Sequence, residues 1–312
     1  EDDPFNNYAA LNDRGSIVRG TIREVDAKQA IEWGGAGSHN NTLRSIDVTH
    51  ALSAQGGVGG VPSVFIQDHA PTQTPSTVST STMRIEDLFI ELGEDGQTGL
   101  VVRGMKSNPT RMELDRVFID GRGLTNTTAL QAQQTGTGGT LEVVNSVLKG
   151  VTKHAIEVVG AYRFDELRFM HDTLELAGEM VASRRALLTL TDASATTLCT
   201  IVNTIFSARE PMSHTAGVDL YQATVSAPLG NLANNLFHQV TFPYARQNVA
   251  PFVTPSMADD VAGDPMFVNA MLEVDAMSPA IDAGQTLPEV TQDYHGSPRP
   301  SGASVDIGAY EQ

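Results

Sequence analysis

A short pattern recurs along the chain: an apolar, β-branched run, a polar pair, and then bulky residues again. The apolar positions on either side of the pair lie three residues apart, which breaks simple strand alternation but fits two short strands joined by a tight turn. The runs are short and rich in Val, Ile, Thr and Phe, so they favour β structure over helix. The units are IEDLF at 85–89, LDRVF at 114–118, VNSVL at 144–148, FDELR at 164–168, VNTIF at 202–206 and ANNLF at 233–237.

The spacing of these units predicts a solenoid. Taking an apolar residue after each polar pair as the anchor gives Leu88, Val117, Val147, Leu167, Ile205 and Leu236. Successive anchors are 29, 30, 20, 38 and 31 residues apart, which is typical of stacked coils whose loops differ in length. Asn and Asp tolerate the left-handed backbone that a sharp bend uses. We therefore expect Asn145, Asn203 and Asn234 to lie beneath one another along the solenoid axis.

Two parts of the chain depart from this pattern. Residues 1–82 are the hardest to interpret, because the Gly- and Pro-rich segments 55–62 and 70–76 are typical of loops. Residues 172–185 lack a strand signature, and we expect a short helix or a long loop there.

The last fifty residues contain three motifs: GDPMFV at 263–268, SPAIDAG at 278–284 and VDIGAYE at 305–311. Together they resemble the C-terminal end of bacterial exported right-handed parallel β-helix proteins, the pectate-lyase-like solenoids. The resemblance implies an all-β, single-domain, right-handed parallel β-helix, secreted or held at the cell surface. Its coils would occupy residues 1–262 and a cap residues 263–312. Such solenoids carry lyases, glycosidases, epimerases, adhesins and structural passengers, so the fold alone does not define the activity.

A terminal cap has a physical reason in such a fold. An open solenoid end exposes strand edges and apolar core, so we expect residues 263–312 to cover it. The acidic residues of this segment are predicted to fix turns through backbone hydrogen bonds and not to perform chemistry. They are Asp264, Asp282, Asp293 and Asp306.

Composition limits the partners. Of 312 residues, 20 are Lys or Arg and 37 are Asp or Glu, for a formal net charge of -17. Such a surface disfavours nucleic acid and anionic membranes, and no apolar run approaches the roughly 18 residues of a membrane helix. We expect no nucleic-acid partner, no membrane insertion and a monomer.

Metal and nucleophile motifs are sparse. The single Cys199 excludes an intrachain disulfide framework and a Cys-based zinc site. The eight His residues form no His-x-x-x-His pair, and there is no Gly-x-Ser-x-Gly elbow. We expect no cofactor; calcium is the one metal that the abundant oxygen ligands would suit.

The candidate site lies where the charge is balanced. Residues 149–185 contain six basic and six acidic residues in an otherwise acidic chain. Cleavage of an acidic polysaccharide by β-elimination needs a base and a cation that neutralises the uronate carboxylate; in the lyases that share the fold, Lys or Arg on adjacent coils supplies these. The anchor alignment places Lys149 and Arg168 on consecutive coils, about 4.8 Å apart. The predicted catalytic residues are Lys149, Arg168 and His171, and the predicted substrate-binding residues are Lys153, His154 and Arg163.

Two alternatives stay open. A glycosidase would need two carboxyl groups across a groove, and Glu86, Asp115 and Asp165 form one such column on the anchor alignment. A non-catalytic cell-surface or adhesin-type passenger is favoured by the absence of extended lyase motifs. It is also favoured by the 6% aromatic content with a single Trp33, which leaves few rings for stacking on sugars.

Overall fold

A computed structural model describes residues 6–8, 16–23, 26–27, 31–34, 42–53, 62–68, 81–104, 110–136, 138–178, 185–192, 197–210, 215–221, 230–246, 250–251 and 259–312. The first strands are β1 (Asn6–Tyr8), β2 (Ser16–Arg23), β3 (Asp26–Ala27), β4 (Ile31–Gly34), β5 (Thr42–Ser53), β6 (Pro62–Asp68), β7 (Ser81–Leu92) and β8 (Thr98–Gly104). The central strands are β9 (Thr110–Asp115), β10 (Phe118–Asp120), β11 (Thr128–Gln134), β12 (Gly139–Val144), β13 (Val147–Val151), β14 (His154–Val159), β15 (Glu166–Met170) and β16 (Thr173–Leu176), with one 3₁₀ turn at Ala161–Arg163. The last strands are β17 (Arg185–Thr191), β18 (Leu198–Val202), β19 (Ile205–Ala208), β20 (Thr215–Tyr221), β21 (Leu232–Ala233), β22 (Leu236–His238), β23 (Phe242–Arg246), β24 (Ala250–Pro251) and β25 (Val261–Ala262).

These strands wind into a parallel β-solenoid, which confirms the predicted all-β architecture. The first sheet runs in the order β1-β4-β6-β8-β11-β14-β17-β20-β23-β24. The second sheet has two halves: β9, β12, β15, β18 and β21 precede a corner, and β10, β13, β16, β19, β22 and β25 follow it. The 12-residue strand β7 pairs with both halves. One coil therefore contributes a strand to the first sheet, then one strand on each side of the corner.

Residues with a left-handed backbone mark this corner. Those aligned by the strand register are Arg19, Ser45, Asp87, Arg116, Asn145, His171, Asn203 and Asn234, with φ between 50° and 65°. Met170 pairs with Val144 on one side and with Val202 on the other, so the residues that follow these three lie side by side. We call the eight residues the corner column. The predicted alignment of the three Asn residues is confirmed.

The register also corrects the predicted anchors. In the coil after Asn145 the bend falls at His171, whereas Leu167 lies on β15 and pairs with Leu141 and Cys199. Histidine, like Asn and Asp, is enriched in the left-handed region, so it can take a corner position. Residues Thr173–Leu176, expected in a helix or loop, form strand β16.

The coil lengths change accordingly. The column that begins the strands after the corner consists of Phe89, Phe118, Val147, Thr173, Ile205 and Leu236. Its steps are 29, 29, 26, 32 and 31 residues. The coils are thus more regular than the anchor alignment implied.

Polar side chains form a ladder inside the solenoid, one position beyond the corner column. The Val117 N–H donates to Ser146 Oγ at 3.2 Å, and the Ser146 N–H donates to Asp172 Oδ1 at 2.9 Å. Farther along, the Thr204 N–H donates to Asn235 Oδ1 at 3.0 Å. At each bend one backbone N–H points out of the sheet and loses its partner there. The side-chain oxygen of the next coil accepts a hydrogen bond from this N–H.

Residues 263–312 lie along the side of the solenoid, over the corner column. We call this segment the strap. Asn145 Nδ2 donates to the Gln292 carbonyl at 3.0 Å, and Asn234 Nδ2 donates to the Ala283 carbonyl at 3.2 Å. Apolar strap residues pack on outward side chains of several coils, in clusters such as Phe118, Val147, Leu272, Ala309 and Tyr310. In the described structure the segment covers the corners of successive coils. Its role as a cap over the open end of the solenoid stays a prediction.

The acidic residues of the strap fix its turns, as predicted. Asp264 Oδ1 accepts from the Met266 N–H, and Asp293 Oδ1 accepts from the Ser297 N–H. Asp282 and Asp306 accept backbone N–H groups across the strap, with Asp306 Oδ1 2.7 Å from the Asp282 nitrogen. The strap forms no regular sheet, and the hydrogen bonds to these carboxylates stabilise its turns instead.

Candidate functional site

Lys149 lies on β13, and its side chain forms an ion pair with a residue of the adjacent coil. Its side chain is only 8% exposed, and Nζ lies 2.8 Å from Asp120 Oδ2 on the adjacent coil. Nζ also lies 5.6 Å from the centroid of the Phe118 ring. The ammonium group is therefore neutralised and partly covered by its own coil neighbours.

Arg168 lies on the other side of the corner from Lys149. It is on β15, where its register partners are Glu142 and Thr200. Its guanidinium pairs with Glu142 at 2.8 Å and also with Glu289 of the strap. The predicted placement of Lys149 and Arg168 on consecutive coils of one column is wrong, because the anchor alignment had assigned Leu167 to the corner.

Neither His171 nor Arg163 lines the two depressions described below. His171 is a corner residue with 0% exposure, beneath the strap. Burial, followed by the nearby Arg299 charge, lowers its pKa well below the usual value. Arg163 lies on the 3₁₀ turn after β14, and its guanidinium donates to the Thr135 carbonyl at 2.6 Å.

Lys153 and His154 do come together with other polar groups. They line a recess of about 320 Å³ on the outer face of the first sheet, which we call the His154 recess. The other lining residues are Glu157, Val159, Thr189, Thr191 and Tyr221. Two of the six residues predicted from the sequence thus share a surface depression.

The strand register explains this grouping. Glu157 pairs with Thr189, and Thr189 pairs with Asp219 on the next coil, so the three side chains form one column. Flanking residues such as Ile156 and Leu188 belong to the buried core, so the column faces outward. Thr189 and Tyr221 had no signal in the sequence, since only the register of β14, β17 and β20 brings them to His154.

Hydrogen bonds define the protonation of His154. Nδ1 lies 3.3 Å from the Ala186 carbonyl and 3.1 Å from Thr189 Oγ1. A carbonyl oxygen only accepts, so Nδ1 carries a proton, and in the neutral form of the ring Nε2 is the nitrogen without one.

A polar row leads into the recess along the solenoid axis. Gln131 Nε2 donates to Glu157 Oε2 at 2.7 Å, and Gln133 Nε2 donates to Gln131 Oε1 at 2.7 Å. Arg103 Nε donates to Gln133 Oε1 at 2.9 Å, one coil earlier. Side chains that can bind hydroxyl or carboxylate groups therefore recur at the coil spacing of about 4.8 Å. Among the described residues, Lys153 makes no ion pair.

A second depression of about 310 Å³ lies between the outer face of the second sheet and strap residues 289–292. We call it the arginine–carboxylate cleft. Its charged side chains pair with one another: Arg84 with Glu113 at 2.7 Å, and Arg116 with Asp115. Burial raises the pKa of Asp115 above its usual value. A ligand here would have to displace existing ion pairs.

The carboxylate column considered for a glycosidase is only partly formed. Glu86 and Asp115 are in register, but the column continues with Val144 and Met170. Asp165 lies outside it, before the start of β15. In the described part of the chain, no three His, Cys, Asp or Glu side chains are arranged to hold a metal ion. The same residues contain no helix long and apolar enough to cross a membrane.

Two known proteins are similar to a short segment of this chain. No family model matches the chain. A 31-residue segment is 71% identical to small ribosomal subunit protein bS1 of Pseudomonas aeruginosa, which is 10% of this chain and 6% of that protein. The bS1 protein of Neisseria meningitidis serogroup B is 52% identical over 31 residues, with the same coverage. The chain therefore spans only a small fraction of these relatives.

Proposed function

We propose that this protein is an exported, right-handed, pectate-lyase-like β-helix that binds an acidic polysaccharide in the His154 recess. The observation that carries the proposal is the convergence of Lys153, His154, Glu157 and Tyr221 on one recess of about 320 Å³. A polymer lying along the axis would meet the row of Gln131, Glu157 and Thr189 at successive coils. Lys153 supplies the positive charge for a uronate carboxylate.

If the bound polymer is cleaved, β-elimination is the reaction that these groups suit. His154 Nε2 takes the proton from the carbon beside the uronate carboxyl group, and Lys153 neutralises the carboxylate as negative charge develops. The electron pair of the broken C–H bond forms the new C=C bond, and the C–O bond to the leaving sugar breaks. The leaving oxygen takes a proton from the Tyr221 hydroxyl or from water.

The test combines binding with product detection. Calorimetry with acidic and neutral oligosaccharides reports affinity, and ultraviolet absorbance of the unsaturated product reports elimination. Lys153→Gln and His154→Gln should each weaken binding about tenfold or more, the equivalent of roughly 1.4 kcal/mol. His295→Gln is the matched control, because His295 is exposed on the strap and pairs with Glu273. Equal affinity in all variants would place the ligand elsewhere.

A non-catalytic surface or adhesin-type passenger is the second candidate. It is favoured by the ion pairs that the charged side chains of this face make with one another and with the strap. These pairs leave a lateral face whose charges are already neutralised. The absence of binding and of elimination across acidic and neutral glycans would favour this candidate over the polysaccharide proposal.

A further inference from the structure

His171 occupies a position that its neighbours in the corner column fill with asparagine. Asn145, Asn203 and Asn234 all use their side-chain amides to bind strap carbonyls. His171 stands between Asn145 and Asn203 and is fully buried under the strap. It is thus the one titratable imidazole among the four consecutive corner residues that the strap covers.

The hydrogen bonds of Asn203 determine which atom it turns toward His171. Its Oδ1 accepts from the Gln285 N–H at 2.8 Å, and its Nδ2 donates to the Gln285 carbonyl at 2.7 Å. The same Nδ2 lies 2.9 Å from His171 Nε2. Because Nδ2 is a donor, His171 Nε2 must be an acceptor, and the docked strap requires a neutral imidazole.

The charged groups around His171 reinforce this requirement. Arg299 of the strap pairs with Glu311 at 2.6 Å, and both side chains are 0% exposed. On the strap side, the backbone of Asp306 and Gly308 acts in the opposite direction, but burial and Arg299 outweigh it and lower the pKa of His171. Arg299 is further influenced by Asp293.

On the solenoid side the neighbouring group is Asp172. It is buried in the internal ladder, and burial raises its pKa well above the usual value. Asp115, two coils earlier, acts on it in the same direction. Burial thus disfavours the negative charge on Asp172 that would balance a protonated His171.

We propose that the strap is an acid-released latch, in which a second proton on His171 detaches the strap from the corner column. Protonated Nε2 would oppose the Asn203 Nδ2 donor, and the new cation would face Arg299. Detachment breaks the ion pair between Arg168 and Glu289 and removes strap residues 289–292 from the arginine–carboxylate cleft. Acid would thereby open the cleft.

The size of the response follows from linkage. If the docked His171 stays neutral and the detached one has an ordinary pKa near 6.5, each pH unit below that favours detachment about tenfold. Because half of the detached rings are already protonated at about pH 6.5, the opening equilibrium should rise by about 16-fold between about pH 6.5 and about pH 5.

Hydrogen exchange measured by mass spectrometry, corrected for the intrinsic pH dependence of exchange, tests the latch. Informative amides are those of Gln285, Gly308 and Ala309, which bond to Asn203 or Thr173. We expect their opening to increase about 16-fold over this pH interval, with little change in the core strands. Unchanged strap protection in the wild-type chain at about pH 5 would overturn the proposal.

Two variants separate His171 from other acid-titrating groups. His171→Asn restores the residue type of its neighbours and should keep the strap protected at both pH values. His295→Asn, on the exposed part of the strap, should open as the wild-type chain does. If His171→Asn opens with the wild-type pH profile, carboxyl groups such as Asp306 or Glu311 are responsible, and the latch is not His171.

Discussion

The backbone N–H of Ser146 donates to Oδ1 of Asp172, one coil away, at 2.9 Å. Asp172 is fully buried, and its Oδ2 has no hydrogen-bond partner among the described residues. Burial raises the pKa of this carboxyl group well above its usual value. The side chain thus supplies an acceptor for a donor displaced by the corner, in surroundings that disfavour its charge.

Asp172→Asn should stabilise the protein at neutral pH. Asn retains the Oδ1 acceptor and carries no charge whose burial costs free energy. Because the folded pKa of Asp172 is raised, its contribution to stability is fully present below about pH 3.9 and is lost as pH rises through the folded pKa. The gain from Asn should therefore vanish near pH 3, as measured by urea denaturation. A gain that is independent of pH would contradict this account.

Asp172→Ala should cost about 2 kcal/mol, because the Ser146 N–H is left buried without an acceptor. The exposed Asp165 provides the control, since Asp165→Ala should change the free energy of unfolding by less than about 0.5 kcal/mol. Equal effects of the two substitutions would show that the ladder bond adds no stability.

Asp260 should give the solenoid a pH dependence at its C-terminal coil. Its Oδ1 accepts from the Asn235 N–H at 2.9 Å, and its Oδ2 accepts from the Tyr244 hydroxyl at 2.9 Å. Burial raises the pKa of Asp260 to about 6, against the opposing effect of these bonds. The stability it contributes should be present below about pH 3.9 and lost as pH rises through about 6.

The measurement is the free energy of unfolding of Asp260→Asn relative to the wild-type chain between about pH 4 and about pH 7. The difference should shift in favour of Asn as pH rises. Asp259→Asn is the control at the exposed neighbouring position and should show a smaller effect, because it removes only a charge that acts on Asp260. A flat difference for Asp260→Asn would mean that its carboxyl group titrates normally.

The buried pair of Arg299 and Glu311 should be sensitive to the loss of one partner. Arg299 also donates to the Gly308 carbonyl at 2.8 Å, so it connects two points in the C-terminal part of the strap. Glu311→Gln would leave a buried guanidinium without its counter-charge and should cost about 3 kcal/mol of strap stability. The double variant Arg299→Met with Glu311→Gln should cost less than the sum of the single changes. Hydrogen exchange of the strap gives these energies, and additive costs would rule out direct coupling.

The sequence predicted the solenoid and the corner asparagines because both depend on local chemistry. A bend between two short strands selects residues that accept positive φ, and that preference is visible in Asn145, Asn203 and Asn234. The turn-fixing role of Asp264 and Asp293 could be predicted for the same reason.

The candidate site was harder to predict, because it depends on register. The polar pair at 165–166 resembles the sequence pattern of a corner, but the backbone of this coil bends at His171. That error shifted Arg168 to the wrong strand and paired it with Lys149. The grouping of His154 with Thr189 and Tyr221 depends on three coils whose connecting loops differ in length, and no local pattern encodes those lengths.

The glycine of the VDIGAYE motif should be required for strap docking. Gly308 has φ of +105°, and a Cβ added there would lie 2.7 Å from Ile205 Cδ1 and 3.0 Å from Thr173 Oγ1. Gly308→Ala would therefore combine backbone strain with a clash against the solenoid, and we expect a loss of about 2–3 kcal/mol. Gly296→Ala is the control, since Gly296 also has positive φ but its added Cβ would meet no atom within 4 Å. Thermal unfolding and strap hydrogen exchange should show a clear deficit for Gly308→Ala over Gly296→Ala. Equal deficits would indicate that backbone conformation alone, and not the close approach to Ile205, selects glycine at this position.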